Sequence, residues 1–226
     1  MLTDTKGKLL NTYVPDYVVF DLETTGIYCN TDSVIEISAL KVIGGEVVDE
    51  FSTLVNPGIS ISYRITCLTG INDDMVEDAP DFEHALADFI RFAGESVLVG
   101  HNIHTFDLKF IYRDSQKYWN KIPGNDYIDT VLISRAYLPQ LESHRLTDLA
   151  DFYNIDSEGA HRALADCHMT QKVFENLKKE MENPSEAARA VKKCPRCGLT
   201  MRQKNGRFGM FWGCSGYPDC RYTENI

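Results

Sequence analysis

The run Tyr17-Val18-Val19-Phe20-Asp21-Leu22-Glu23-Thr24-Thr25-Gly26 constrains this chain more than any other stretch. Val18 to Phe20 is an apolar run of strand type, and Gly26 ends it. Side chains two apart on a strand share a face, so Asp21 and Glu23 point the same way. Two ionised carboxylates side by side at the end of a buried strand repel each other and are costly to desolvate. A shared proton, a basic partner or a bound cation relieves such a pair. No Lys or Arg lies within ten residues on either side. A cation is therefore the best reading.

Further strands follow. Val34 to Val42 alternates in part and Val47 to Val55 comes next, with a hairpin signal at Gly44-Gly45 between them. Asn56-Pro57-Gly58 breaks the pattern. From there helices and strands alternate. Asp81 to Ala93 places Phe82, Ala85, Leu86, Phe89 and Ile90 at helical spacing. Ser96 to Gly100 reads as a short buried strand and Phe106 to Trp119 as a helix. Tyr127 to Asp129 reads as a brief strand, and Val131 to Tyr137 and Leu146 to Phe152 as short helices. His161 to Met181 closes the pattern as a long helix, which Asn183-Pro184-Ser185 stops. This order predicts an α/β fold with a mixed sheet, antiparallel early and parallel late, flanked by helices.

The chain has 226 residues, of which 43% are hydrophobic and 25% charged, so a full core is within reach. No apolar stretch approaches the ~18 residues of a membrane span. The N-terminal residues lack the apolar block of a secretion signal, so a cytoplasmic protein with no membrane partner is expected. The net charge of −10 conceals an asymmetry. From Arg189 to Ile226 there are eight Lys/Arg and two acids, a local charge of +6 that leaves −16 on the rest. An acidic body with a basic tail suits a protein that collects cations in a site and grips polyanions with its tail, although most of the acid excess is solvated surface. Of the seven cysteines, Cys29, Cys67 and Cys167 are isolated, whereas Cys194, Cys197, Cys214 and Cys220 sit together in the tail. That is a metal pattern in a reduced compartment rather than a disulfide scaffold.

Two more clusters accompany Asp21 and Glu23. His101-Asn102-Ile103-His104-Thr105-Phe106-Asp107 follows the Ser96–Gly100 strand. A carboxylate there sits at the carboxyl edge of the sheet, where open α/β sheets place their sites. His161-Arg162-Ala163-Leu164-Ala165-Asp166 opens the last helix. Five residues apart on a helix, His161 and Asp166 would diverge by about 140°. They converge if His161 lies on the preceding loop and Asp166 faces inward beside Ala163. Each piece alone has an ordinary reading: a surface charge pair, a helix N-cap at Asp107, a packed or exposed histidine.

Together, in this order, they resemble the DEDDh 3′–5′ exonucleases, the group of the proofreading epsilon subunit of bacterial DNA polymerase III. Val19 to Gly26 matches the first family motif. Leu68-Thr69-Gly70-Ile71 and Ala79-Pro80 match the intervening segment. Gly100-His101-Asn102 with Phe106-Asp107 matches the second motif, Asp129-Thr130 the segment before the third, and His161 with Asp166 the third. The resemblance covers roughly residues 15 to 178. Three residues separate Asn102 from Phe106, where many members have two. The resemblance implies a ribonuclease H-like fold and two catalytic Mg²⁺ or Mn²⁺ ions. Asp21, Glu23 and Asp166 would hold the ion that carries the attacking water. Asp21 would bridge to the second ion, supported by Asp107, and His161 would act as general base. Thr24 and Thr25 would border the 3′ nucleotide, with His101 and Asn102 also at the substrate. Leu22 and Phe106 are candidates for apolar contacts with the terminal base or sugar, and equally for core packing.

In the tail, Cys194-Pro195-Arg196-Cys197-Gly198 is a tight knuckle, and Cys214 and Cys220 supply a second pair. Four thiolates make a closed structural Zn²⁺ site, and so short a segment needs such a staple to fold. The segment resembles the zinc ribbons at the C-terminus of bacterial type IA topoisomerases, including Gly206-Arg207-Phe208-Gly209 and Phe211-Trp212-Gly213-Cys214. Arg202, Lys204, Arg207 and Arg221 interleave with Phe208, Phe211, Trp212, Tyr217 and Tyr222. Cations beside aromatic faces suit single-strand binding, while some of the aromatics must form the ribbon's own core.

The expected organisation is an exonuclease domain over 1–182, a linker over 183–193 and a zinc ribbon over 194–226. The expected function is metal-dependent 3′–5′ exonucleolysis of single-stranded ends, DNA favoured over RNA, alongside replication or repair proteins. Its rivals are a 3′–5′ exoribonuclease and a non-catalytic ribbon adaptor for DNA or protein.

Overall fold

The computed structural model describes residues 2–157 and 160–226. A short strand β1 (Leu2–Thr3) precedes the three-strand meander β2 (Tyr17–Thr24), β3 (Val34–Ile43) and β4 (Glu46–Leu54). The turn between the last two runs through Gly44 and Gly45, at φ 63° and 89°, where a side chain would be strained. Then come α1 (Tyr63–Thr69), α2 (Asp73–Val76), α3 (Phe82–Ala93), β5 (Val97–Gly100) and α4 (Asp107–Trp119). β6 (Ile122–Pro123), β7 (Tyr127–Asp129), α5 (Thr130–Tyr137), α6 (Leu146–Phe152) and α7 (Ala163–Glu182) complete the nuclease-like body. Its sheet has the order β4-β3-β2-β5-β7, with β2, β3 and β4 antiparallel and β2, β5 and β7 parallel. This is the mixed sheet expected from the strands-first order.

Side-chain alternation along β2 sorts the two faces of the sheet. Val18, Phe20 and Leu22 pack with Leu86 and Phe89 of α3 and Leu108, Phe110 and Ile111 of α4. Tyr17 and Val19 pack on the other face with Ile133 of α5, Leu149 of α6, and Cys167, Val173, Phe174 and Leu177 of α7. The Tyr17 and Phe174 rings meet edge to face at 5.1 Å. Asp21 and Glu23 continue the Tyr17–Val19 row and so face α7. Both sheet faces are covered, so β3 is buried along almost its whole length although its sequence alternates only in part.

Periodicity gave no sign of α1 and α2, whose 7 and 4 residues are too few to show it. They are set by local chemistry instead. Ser62 and Asn72 cap their N-termini, and Gly70 at φ 75° stops α1. Together they bring Ile61, Ile71 and Val76 onto Ile35 of β3. The segment before β2 covers the free edge of β7, with Leu10 N donating to Tyr127 O and Tyr127 N to Lys8 O.

After α7 the chain forms α8 (Glu186–Ala190), capped by Ser185, inside the stretch expected as linker. Ala188 is buried and α8 packs beside α5. β8 (Met201–Gly206), β9 (Gly209–Cys214) and β10 (Thr223–Asn225) then form a small antiparallel sheet of order β10-β9-β8. No helix among the described residues is long and apolar enough to cross a membrane.

Candidate active site

Asp21 and Glu23 stand near the carboxyl end of β2, and α7 crosses that row so that Asp166, in its first turn, meets them. Ligand oxygens of Asp21, Glu23 and Asp166 all lie within 4.8 Å of one another. Asp107 begins α4 and is 2% exposed. Its Oδ1 accepts a hydrogen bond from Leu22 N at 3.2 Å, which ties the start of α4 to β2 between the paired carboxylates. Asp107 is not the N-cap that a lone aspartate there suggests; Phe106 holds that position without a side-chain bond.

Burial and mutual repulsion raise the proton affinity of the whole cluster. The Asp21 carboxyl is pushed well up by burial, then by Asp107, Asp166, Glu23 and Glu36. Glu23 is pushed up to about 8 by burial, then by Asp166, Glu36 and Asp107, with Arg162 opposing. Burial pushes Asp107 up to about 7, against the backbone N–H groups of Asp107 itself and Leu22. Asp166 is raised by burial, while the His161 N–H opposes it. The donors are all hard carboxylate oxygens, which fit Mg²⁺ or Mn²⁺ and offer no soft ligand. A divalent ion among them would remove the repulsion that now favours protonation.

The fifth acid of this neighbourhood was not singled out from the sequence. Glu36 on β3 lies opposite Glu23 in the register and is 2% exposed. Its Oε2 accepts from Arg162 Nε at 3.2 Å and from Ala163 N at 3.1 Å, and its Oε1 from Arg162 Nη2 at 2.8 Å. Glu36 therefore clamps the first residues of α7 and sets where Asp166 stands. The local signal was one acid within the apolar run Val34-Ile35-Glu36-Ile37. Asp129 has a parallel role. Buried at the end of β7, its carboxylate accepts from Asn102 N, His104 N and Val131 N at 3.0–3.1 Å. It shapes the loop that leads to Asp107 and caps α5. That loop also needs Gly100, since a Cβ there would fall 2.2 Å from Ile103 Cγ2.

His161 lies on the loop before α7, which starts at Ala163 rather than at His161 as periodicity suggested. It is exposed, at φ 68°, a left-handed conformation costly for histidine. Its backbone N donates to Asp166 Oδ2 at 3.2 Å, holding the loop beside the cluster. The other expected substrate residues are spread around the site. Thr24 donates to Gly26 O, and Thr25 Oγ1 accepts from Ser33 N, so both hydroxyls shape the loop after β2. Leu22 is 4% exposed and belongs to the core, and Phe106 is half-buried against Phe110. Asn102 is exposed. His101 has Nδ1 2.8 Å from Thr130 Oγ1 and Nε2 3.0 Å from His144 O, so both ring nitrogens are engaged within the body.

In the tail, Cys194, Cys197, Cys214 and Cys220 bring their sulfurs within 4.8 Å of one another and form no disulfide. Cys194 and Cys220 are 3.7 Å apart, and Cys197 and Cys214 3.3 Å. A tetrahedral zinc with bonds of about 2.3 Å separates its sulfurs by about 3.8 Å, so the four thiols fit a closed site. Four of the ribbon aromatics divide into two sets. Trp212 and Tyr222 pack against the cysteine cluster. Phe208, at the β8–β9 tip, is 97% exposed with Arg207 beside its ring, and Tyr217 is exposed with Lys204 near it.

Comparison with known proteins bears on the fold and the family. Residues 18–174 match the family described as Exonuclease, and residues 191–226 match the topoisomerase DNA-binding C4 zinc finger. The chain is 40% identical over 160 residues to a DNA polymerase III PolC-type protein of Oceanobacillus iheyensis, using 71% of this chain but spanning only 11% of that protein. It is 36% identical to the DNA polymerase III subunit epsilon of Aquifex aeolicus over 73% of this chain and 81% of the relative. Among solved structures, exonuclease X in complex with 5′ overhanging duplex DNA matches with TM-score 0.59 and 24% identity, over 75% of this chain and 95% of the other. The Escherichia coli exonuclease I–single-stranded DNA complex matches with TM-score 0.62 and 19% identity, over 76% and 42%, a likeness of fold. With a family model spanning most of the body and a relative matched along most of its own length, this chain belongs to the exonuclease family.

Proposed function

We propose that this chain is a divalent-metal-dependent 3′–5′ exonuclease acting on DNA, with single-stranded ends preferred. The observation that carries this reading is the convergence of Asp21, Glu23 and Asp166 within 4.8 Å, with Asp107 fixed beside them and His161 on a loop at their edge. Polymerase III epsilon and PolC-type relatives favour DNA as the substrate and replication or repair as the setting.

Phosphodiester hydrolysis drives a water onto an anion and expels an alkoxide. Two divalent ions, when bound, supply Lewis acidity toward that water and the leaving oxygen. Asp21, Glu23 and Asp166 would hold the first ion, and Asp21 with Asp107 the second. The chain's own part is to orient and to move protons. The imidazole of His161 is exposed and outside the helix, where it is free to accept a proton from the attacking water. Glu36 keeps Arg162 and the first turn of α7 fixed, so that Asp166 does not drift as substrate arrives. Asp129 does the same for the loop before Asp107. The 3′ nucleotide would lie between the Thr24–Thr25 loop and Asn102. Zinc in the ribbon would be structural, and the exposed Phe208 and Tyr217 would offer stacking faces for bases.

The test is digestion of 3′-labelled and 5′-labelled oligonucleotides, DNA and RNA, single- and double-stranded, with Mg²⁺ or Mn²⁺. We expect mononucleotides released first from the 3′ end of single-stranded DNA. Robust cleavage in excess chelator, or cleavage of a closed circle, would overturn the reading. Faster digestion of RNA would move the substrate to ribonucleotides.

A further inference from the structure

Beside the carboxylate cluster runs a groove of about 750 Å³ whose walls come from both folded units. The body contributes His101, Arg135, His144, Arg145 and His161, and the ribbon contributes Arg202. Three arginines thus meet from distant parts of the chain: Arg135 on α5, Arg145 at the start of α6, and Arg202 on β8. Among the described residues, none of the three forms an ion pair. Glu142 is on the groove wall, but it approaches no arginine closely enough to pair. Like charges gathered without a counterion repel, and Arg135 does lower the proton affinity of Arg202, after burial. Such a groove has an excess of positive charge and room for a chain of phosphates.

The ribbon's share of the groove is fixed by a built interface. Leu132 of α5 and Leu9 pack into the same apolar cluster as Cys194, Leu199, Met201, Cys214 and Cys220. His104, in the loop leading to Asp107, is buried with Nε2 3.0 Å from Tyr217 O and Nδ1 2.9 Å from Tyr127 Oη. Tyr127 Oη donates to Asp219 Oδ2 at 2.6 Å, Lys6 pairs with Asp219, and Asn11 Nδ2 donates to Gly198 O at 3.1 Å. Arg202 is therefore held at a set position relative to His161, not carried on a loose tether.

We propose that this groove carries the phosphates of the strand just upstream of the reacting 3′ end, and that Arg202 makes the zinc ribbon a wall of the substrate channel. The proposal rests on the exonuclease reading above. The groove opens on His161, and under that reading the end it delivers to the site is the 3′ terminus. Arg135, Arg145 and Arg202 contact backbone rather than bases, which gives affinity without sequence preference.

The test compares Arg202→Ala and Arg135→Ala with wild type on two substrates under Mn²⁺. One is a long single-stranded DNA; the other is the p-nitrophenyl ester of thymidine 5′-monophosphate, which has no upstream strand. KM on the long strand should rise about three- to tenfold per arginine with kcat nearly unchanged, the range expected for one charge contact. The salt dependence of KM should flatten by roughly 0.7 per lost contact. Hydrolysis of the small ester should not change. Arg202→Lys should recover most of the loss, and Arg196→Ala, an equal charge loss on the ribbon outside the groove, should have no effect. Equal KM values for Arg202→Ala and wild type on the long strand would overturn the proposal, as would equal losses on the ester or from Arg196→Ala. If wild type cleaves neither substrate, the exonuclease reading itself fails, and the groove is then judged by binding of the long strand alone.

Discussion

Replacing Glu23 with Gln should stop turnover and yet make the metal-free protein more stable. In the metal-free fold the Glu23 carboxyl is pushed up to about 8, from an ordinary value of 4.5, by burial and by Asp166, Glu36 and Asp107. Between those values the folded state holds a proton that the unfolded chain has released. Glu23 therefore weighs little against folding below pH 4.5, and its penalty grows as pH rises toward 8. At about 1.4 kcal/mol per pH unit, the full penalty at pH 8 is roughly 4 kcal/mol, and solvent at the partly exposed carboxyl reduces it to about 2 kcal/mol. Gln carries no charge, so Glu23→Gln should gain that amount at pH 8 and well under 1 kcal/mol at pH 5. For a chain of this size about 2 kcal/mol corresponds to roughly 4–8 °C in thermal midpoint. Saturating Mn²⁺ should narrow or reverse the order, because the ion binds the wild-type carboxylates and stabilises only what it binds. The assay is scanning calorimetry of both proteins at pH 5 and pH 8, with chelator and with Mn²⁺. A Glu23→Gln protein no more stable than wild type at pH 8 in chelator, or a gap that does not change with pH, would refute the electrostatic reasoning.

His161→Ala should lower kcat by the ~10²–10⁴ typical of a lost general base while Mn²⁺ binding, read by calorimetry, is retained. Asp21→Asn and Asp166→Asn should each nearly abolish turnover and weaken Mn²⁺ binding in the same titration. Glu36→Gln should lower stability by about 1–3 kcal/mol through the weakened clamp on Arg162 and Ala163, and should lower kcat although Glu36 need not touch substrate; an unchanged kcat would remove its positioning role. Ending the chain before Arg189 should leave a folded nuclease body of lower thermal midpoint, because Leu132, His104 and Tyr127 lose their cover; an unchanged midpoint would show that the interface contributes nothing to stability.

The legible parts of the site were those with a short local period. Asp21 and Glu23 were assigned to one face because strand side chains alternate, and the β2 packing follows that alternation. The four cysteines announced themselves by spacing. Asp107, His161 and Asp166 needed the family resemblance, since a lone acid or histidine at a helix start has several ordinary explanations. Glu36 stayed hidden because its meaning lies in strand register: only pairing β2 with β3 places it opposite Glu23. The docking of the ribbon was hidden for a similar reason. Leu132 read as one more apolar residue of a helix, and His104 as part of a slightly long motif. The structure shows that the segment between Asn102 and Phe106 is one of the places where the ribbon meets the body. Contacts between units separated by a hundred residues leave no periodic trace in either unit.

The expectation is that Asp21, Glu23, Asp107 and Asp166 together hold the catalytic cations. It is tested most directly by anomalous scattering from crystals soaked in Mn²⁺ and a mononucleotide product. Two manganese peaks are expected, about 4 Å apart as in two-metal sites, one between Asp21, Glu23 and Asp166 and one on Asp21 toward Asp107. Both should vanish or weaken in Asp21→Asn crystals. Manganese bound elsewhere, with no peak among these carboxylates, would contradict it.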